Sequence, residues 1–286
     1  MGIFKKKTKT VTATTEVKET TLESILTAPD PTAESHDDKD SMSEVAPKNV
    51  GKLDMVIAFD TTGSMAHYIG AVRAQVMSLI PELFRDNDDL RLGIVAFGDY
   101  CDMTNAQEYG DAYQCIEPTN NENELIRFVK ESKDTSGGDG DEFYELVLKR
   151  IIDKTPWREG STRSILLIAD ANPHPLGYTY KNYVVDNSID WRKEAAKAAE
   201  KKIKIDTVTI TSAPWYRELS AMTNGVSVPF RTGSKTADLV RASVNARGSM
   251  KSRMAFDAEM DRWMKSDDEE MKDVYASFSK ERNSFD

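Results

Sequence analysis

Leu53-Asp54-Met55-Val56-Ile57-Ala58-Phe59-Asp60-Thr61-Thr62-Gly63-Ser64 is the stretch on which the reading of this chain turns. A nearly continuous apolar run ends at an aspartate and passes into a turn of hydroxyl residues and glycine. Apolar residues without polar alternation mark a strand covered on both faces. Just downstream, over residues 67–84, Ile69, Val72, Val76, Leu79, Ile80 and Leu83 recur every three or four positions. That spacing puts them on one face of a helix. A second strand is predicted over 90–97, followed by a polar loop to about residue 119.

Further along, helices are predicted over 122–131 and 142–152, separated by a loop rich in glycine and aspartate. A third buried-type strand covers 164–169 and stops at Asp170. A helix over 189–201, a strand over 203–210, a helix over 216–222 and a short closing strand over 226–230 complete the pattern. Strands separated by helices fit a parallel sheet with right-handed crossovers. The expected fold class is α/β: a doubly wound, mostly parallel sheet flanked by helices, with Rossmann-like topology, over residues 51–248.

The flanks have a different texture. Residues 1–50 contain thirteen Ser and Thr and few large apolar groups, too little to offset the entropy of ordering, so a disordered tail is expected there. Residues 249–286 place Met250, Met254, Phe256, Met260, Trp263 and Met264 among charged residues, with Met271, Tyr275 and Phe278 continuing a loose helical pattern. This charged amphipathic helical tail either packs on the parent domain or docks on a partner.

Of 286 residues, 39% are hydrophobic, and 48 Asp and Glu outweigh 38 Lys and Arg for a net charge of -10. Such a field repels nucleic acid and anionic membranes, so neither is expected as a partner. No run approaches the ~20 apolar residues of a membrane-spanning helix. Lys5, Lys6, Lys7 and Lys9 are not followed by an apolar segment, so a secretory leader is not expected and the cytoplasm is the expected compartment. Cys101 and Cys115 read as ordinary thiols.

In an open parallel sheet, ligands bind beyond the carboxyl ends of the strands. Asp60 ends the first strand, and alternate residues of its turn bring Thr62 and Ser64 to the same point. Asp170 ends a later strand and can face them. The loop Ser136-Gly137-Gly138-Asp139-Gly140-Asp141-Glu142 can deliver Asp139 from a third direction. Clustered oxygen donors suit a hard divalent cation, Mg2+ first and Mn2+ or Ca2+ next. Asp99, beside Asp102, either hydrogen-bonds the ion-holding loop or makes a local turn. His174, just beyond Asp170 and between Pro173 and Pro175, reads as an exposed loop residue, with a place at the border of a ligand surface as the alternative. With three histidines in the chain, no Ser-His-Asp or Cys-His arrangement is evident, and enzymatic activity is left open.

Asp60-x-Thr62-x-Ser64 with Asp170 at a later strand end resembles the metal-ion-dependent adhesion site of von Willebrand factor type A domains. Phe59 to Met65, Phe97-Gly98-Asp99-Tyr100-Cys101-Asp102, Gly137-Gly138-Asp139 with Glu142, and Ile168-Ala169-Asp170-Ala171-Asn172-Pro173-His174 are similar to the subgroup associated with alpha-kinases such as the myosin heavy chain kinases. The resemblance covers roughly residues 52–230. It implies a cation on the upper edge of the sheet, bound by Asp60, Thr62, Ser64 and Asp170, with a position open for a partner's carboxylate. For the second-loop ligand it points to Asp139, with Thr135 and Ser136 as nearby substitutes. The implied function is a metal-ion-dependent protein-protein binding module, an intracellular adaptor or assembly factor. The alternatives are a structural subunit that binds through its C-terminal helix and, more distantly, a metal-dependent phosphoryl-transfer enzyme.

Overall fold

The structure, a computed structural model, describes residues 51–230 and 234–283. The tail expected over residues 1–50 lies outside the described residues. Strand β1 (Lys52–Asp60) is buried at every position except Lys52, because it runs between β2 (Asp89–Phe97) and β5 (Thr162–Ala169) at the centre of the sheet. The remaining strands are β3 (Tyr113–Thr119), β4 (Asp141–Glu142), β6 (Asn172–Pro173), β7 (Ile203–Thr209) and β8 (Ser227–Pro229). The main sheet has the order β3-β2-β1-β5-β7-β8. It is parallel except for β3, which pairs antiparallel with β2.

Eight α-helices accompany the strands among the described residues: α1 (Ile69–Asp86), α2 (Glu122–Glu131), α3 (Tyr144–Lys154), α4 (Trp191–Glu200), α5 (Pro214–Met222), α6 (Ser234–Asn245), α7 (Met250–Met264) and α8 (Glu269–Asn283). The pleat of β1 divides the core. Leu53, Met55, Ile57 and Phe59 pack with residues of α1, α2 and α6 to α8. Val56 and Ala58 point the other way, into α3, α4 and α5. This two-sided burial is why β1 carries no polar alternation. The result is the expected α/β fold, a mostly parallel sheet between helical layers.

The structure departs from the sequence reading in instructive places. The polar loop expected over 98–119 contains β3, an edge strand whose mixed exposure and Pro118 mask its alternation. Helix α6 fills a stretch left without an element. A 3-10 turn over Gly63–His67 precedes α1, so the helix begins two residues later than expected. The C-terminal segment forms two helices, with Phe256, Met271, Tyr275 and Phe278 in the core and Met250 and Met254 exposed.

Strand order reverses direction at β1: the chain builds outward through β2 and β3, then returns to place β5 on the other side. The crevice at this switch point lies between the carboxyl ends of β1 and β5, where Asp60 and Asp170 stand. A second, two-strand parallel ladder crosses the same edge, pairing Asp141 with Asn172 and Glu142 with Pro173. It pulls the 136–142 loop against the segment that follows Asp170.

Candidate metal centre

Asp60 is completely buried at the end of β1, and its carboxylate is held from two sides. Oδ1 accepts from the Thr62 backbone N–H at 2.7 Å and from the Thr62 hydroxyl at 2.6 Å. Oδ2 accepts from the Tyr144 hydroxyl at 2.5 Å, whose oxygen in turn accepts the Ala171 N–H at 3.1 Å. The Thr62 hydroxyl lies 3.1 Å from Ser64 Oγ, and Ser64 Oγ donates to Asp170 Oδ1 at 3.1 Å. Four of the residues singled out in the sequence, Asp60, Thr62, Ser64 and Asp170, thus form one connected chain of oxygens across the β1–β5 crevice.

The fifth residue, Asp139, is engaged elsewhere. Its Oδ2 accepts from the Tyr178 hydroxyl at 3.0 Å and its Oδ1 from the Asp141 N–H at 3.1 Å. The substitutes are also committed. Thr135 Oγ1 sits 3.0 Å from Thr61 Oγ1, and Ser136 Oγ donates to Asp102 at 2.8 Å. The second-loop carboxylate beside the chain is Glu142. Its Oε1 stands where a Cβ on Gly137 would meet it at 2.8 Å, and Thr62 Cβ lies 3.3 Å from the same point. Gly137 adopts φ +65°, the left-handed region open to glycine, so the loop can pass over Thr62 and leave room for this carboxyl. The sequence reading starts a helix at Glu142, whereas the residue lies in β4 and α3 begins at Tyr144.

Asp102, not Asp99, ties the loop down. Asp102 Oδ1 accepts from the Ser136 N–H and hydroxyl at 2.9 and 2.8 Å, and Oδ2 from the Gly137 N–H at 3.1 Å. Asp99 instead faces His174, whose Nε2 lies 2.6 Å from Asp99 Oδ1. The expectation of an exposed His174 fails. The imidazole is buried, stacked on Tyr178 at 3.7 Å, and its backbone N–H donates to Glu142 O. The flanking prolines set an extended path into β6 and leave the histidine facing inward.

Burial and mutual repulsion dominate the electrostatics of the cluster. Burial pushes the Asp60 carboxyl up to about 7, against the lowering effect of the Thr62 and Tyr144 hydrogen bonds. Burial, then the charges of Asp60, Asp99 and Asp102, drive Glu142 up to about 10. Asp170 is raised by burial as well. Glu142 Oε2 is buried with no hydrogen-bond partner among the described residues. Buried like charges beside an orphaned carboxylate oxygen are costly unless a positive charge faces them. The donors are carboxylates and hydroxyls, the set that a hard divalent cation takes, so the residues present fit such an ion.

The chain is 31% identical over 130 residues to the alpha-protein kinase vwkA of Dictyostelium discoideum, a match spanning 44% of this chain and 19% of that protein. It also resembles the crystal structure of a conserved hypothetical protein, BatB, from Bacteroides thetaiotaomicron. That likeness has a TM-score of 0.45 and 14% identity over 66% of this chain and 95% of BatB. No helix among the described residues is long and apolar enough to cross a membrane. The sequence profile of the von Willebrand factor type A domain matches residues 54–241, well over half of the chain, and takes in β1, the hydroxyl turn and Asp170. The chain belongs to the von Willebrand factor type A domain family.

Proposed function

We propose that this protein is a metal-ion-dependent protein-binding module, a cytoplasmic adaptor or assembly factor that recognises an acidic side chain of its partner. The observation that carries the reading is the connected chain Asp60–Thr62–Ser64–Asp170 at the switch point, with the orphaned Glu142 carboxylate beside it. In this reading Asp60, Thr62, Ser64, Asp170 and Glu142 hold the ion, Mg2+ first and Mn2+ or Ca2+ next. Asp139 lies outside this set. A cation bound there supplies a positive charge with a coordination position open to a partner's carboxylate.

The protein's own residues prepare that position. Tyr144 fixes one oxygen of Asp60 from below, so the other is presented upward with Thr62 and Ser64. The Gly63 N–H donates to Ser136 O and the Thr135 N–H to Thr61 O. These two bonds lace the hydroxyl turn to the second loop. The match to a kinase concerns a fifth of that protein.

The test is calorimetric titration of EDTA-treated protein with Mg2+, beside a folded Asp60→Asn variant. Saturable binding near one Mg2+ per chain, lost in the variant, is expected. Proteins retained by immobilised wild type in Mg2+ should be released by EDTA and not retained by the variant. Retention that ignores both EDTA and the substitution would move the binding function to the C-terminal helices.

A further inference from the structure

Beside the Asp60 chain lies a second set of donors of different chemistry. Asp99, Asp139 and His174 each offer a ligand atom, and these atoms lie within 4.8 Å of one another. Asp99 is 0% and His174 3% exposed, while Asp139 is exposed and closes the group on the solvent side. A purely structural Asp–His pair accounts for the 2.6 Å contact between Nε2 and Asp99 Oδ1, but not for two further features.

Asp99 Oδ2 is buried with no hydrogen-bond partner among the described residues. Tyr178 organises two of the donors together: its ring stacks on the imidazole at 3.7 Å and 14°, and its hydroxyl donates to Asp139 Oδ2 at 3.0 Å. Outer partners that fix a histidine and a carboxylate at once are what metal sites use to orient their ligands.

We propose that Asp99, Asp139 and His174 form a second divalent-metal site, selective for a borderline transition ion such as Zn2+ over Mg2+. One imidazole with two carboxylates is the donor set such ions prefer, whereas Mg2+ and Ca2+ favour oxygen alone. Ligand atoms around one such ion stand roughly 3 to 3.5 Å apart, given bonds of about 2.0 to 2.2 Å. The 4.8 Å limit on the present spread closes by a small swing of the exposed Asp139 side chain. On binding, Nε2 gives its lone pair to the ion, and the proton shared with Asp99 passes to solvent.

The test uses the metals alone on the full chain. Equilibrium dialysis against Zn2+ in excess Mg2+ should find one Zn2+ per chain. Its affinity should fall at least about ten-fold in Asp139→Asn and persist in Asp60→Asn, which removes only the first site. In Mn2+, pulsed EPR should detect a nitrogen coupling in wild type and Asp60→Asn that His174→Gln abolishes. Asp139 is on the surface, so its variant folds whatever becomes of His174→Gln. Zn2+ bound as tightly by Asp139→Asn as by wild type, or a nitrogen coupling that survives in His174→Gln, would overturn the proposal.

Discussion

Replacing Asp60 by asparagine should make the EDTA-treated protein more stable at pH 8 and remove its response to Mg2+. In the folded chain the Asp60 carboxyl titrates near 7 rather than at its ordinary 3.8, with burial as the main cause. Between those two values the folded chain holds a proton that the unfolded chain has released, so stability falls as pH rises through that window and stays low above it. At 1.36 kcal/mol per pH unit, ionised Asp60 withholds on the order of 4 kcal/mol from the fold when no cation faces it. Asparagine keeps the shape, and its Oδ1 still accepts from Thr62 N–H and hydroxyl. It cannot accept the Tyr144 proton as the carboxylate does, and a buried donor left without an acceptor costs about 1 to 3 kcal/mol. The expected net gain is therefore about 2 kcal/mol, or roughly 4 to 8 °C in Tm for a domain of this size. Mg2+ at about a hundred times its Kd should add about 2.7 kcal/mol to wild type and nothing to the variant. Thermal unfolding followed by circular dichroism, at pH 8 in EDTA and in Mg2+, reads both effects. A variant less stable than wild type in EDTA and equally raised by Mg2+ would refute the reasoning.

Three other perturbations separate the site from its scaffold. Asp102→Ala removes the acceptor of the Ser136 and Gly137 N–H groups and should weaken Mg2+ binding about ten-fold or more, measured by calorimetry, with an unchanged far-ultraviolet spectrum. Gly225→Ala would set a Cβ 2.1 Å from Ile205 O and 2.6 Å from Ile205 C, backbone atoms of β7 that cannot yield. A loss of about 3 kcal/mol in urea unfolding is expected, with Mg2+ affinity of the folded fraction unchanged. The Asp206–Arg247 pair, with Arg247 Nη2 donating to Asp206 Oδ1 at 2.8 Å, sets the acid limb. Burial alone would raise Asp206, but the charge and hydrogen bond of Arg247, with the hydrogen bonds from Ser243 and the Val226 N–H, together hold the carboxyl below 3.8. This stabilisation is complete above 3.8 and disappears as pH falls through the folded value. Asp206→Asn removes the buried carboxylate that faces Arg247 and should cost about 3 kcal/mol at pH 7. It should also lose less stability than wild type between pH 5 and pH 2 in the same assay.

How much of this was legible in the sequence follows from how local each signal is. The centre of the sheet was readable because β1 and β5 are covered on both faces, and that burial writes itself as unbroken apolar runs. Asp60, Thr62 and Ser64 were readable because two-residue spacing in a turn is a local geometry, and Asp170 because it ends a strand parallel to β1. β3 escaped because an edge strand tolerates exposed positions such as Cys115 and Glu117 beside half-buried ones. Helix α6 escaped because Asp238, Ser243 and Asn245 are buried along with Leu239, Val240 and Val244, which erases the contrast between its faces. Arg247 reaching from beyond its end explains part of that, since it meets Ser243 and Asp206 together.

The donors that were missed share a different cause. Glu142 sits where a helix start is the reasonable local reading, and Asp99 and His174 are 75 residues apart. Their proximity depends on β4 and β6, two strands of two residues each, too short for any periodicity to announce. Yet this small ladder sets Glu142 opposite Pro173 and brings the His174 N–H to Glu142 O, so it fixes which carboxylate faces Thr62 and which faces the imidazole. A one-residue slip would exchange the faces on which successive side chains point, turning Glu142 away from the crevice and Asp141 toward it. The motif residues of β1 supply half of the candidate centre from local spacing. The other half is set by register, and a register of two residues is decided by what packs around it rather than by what it spells.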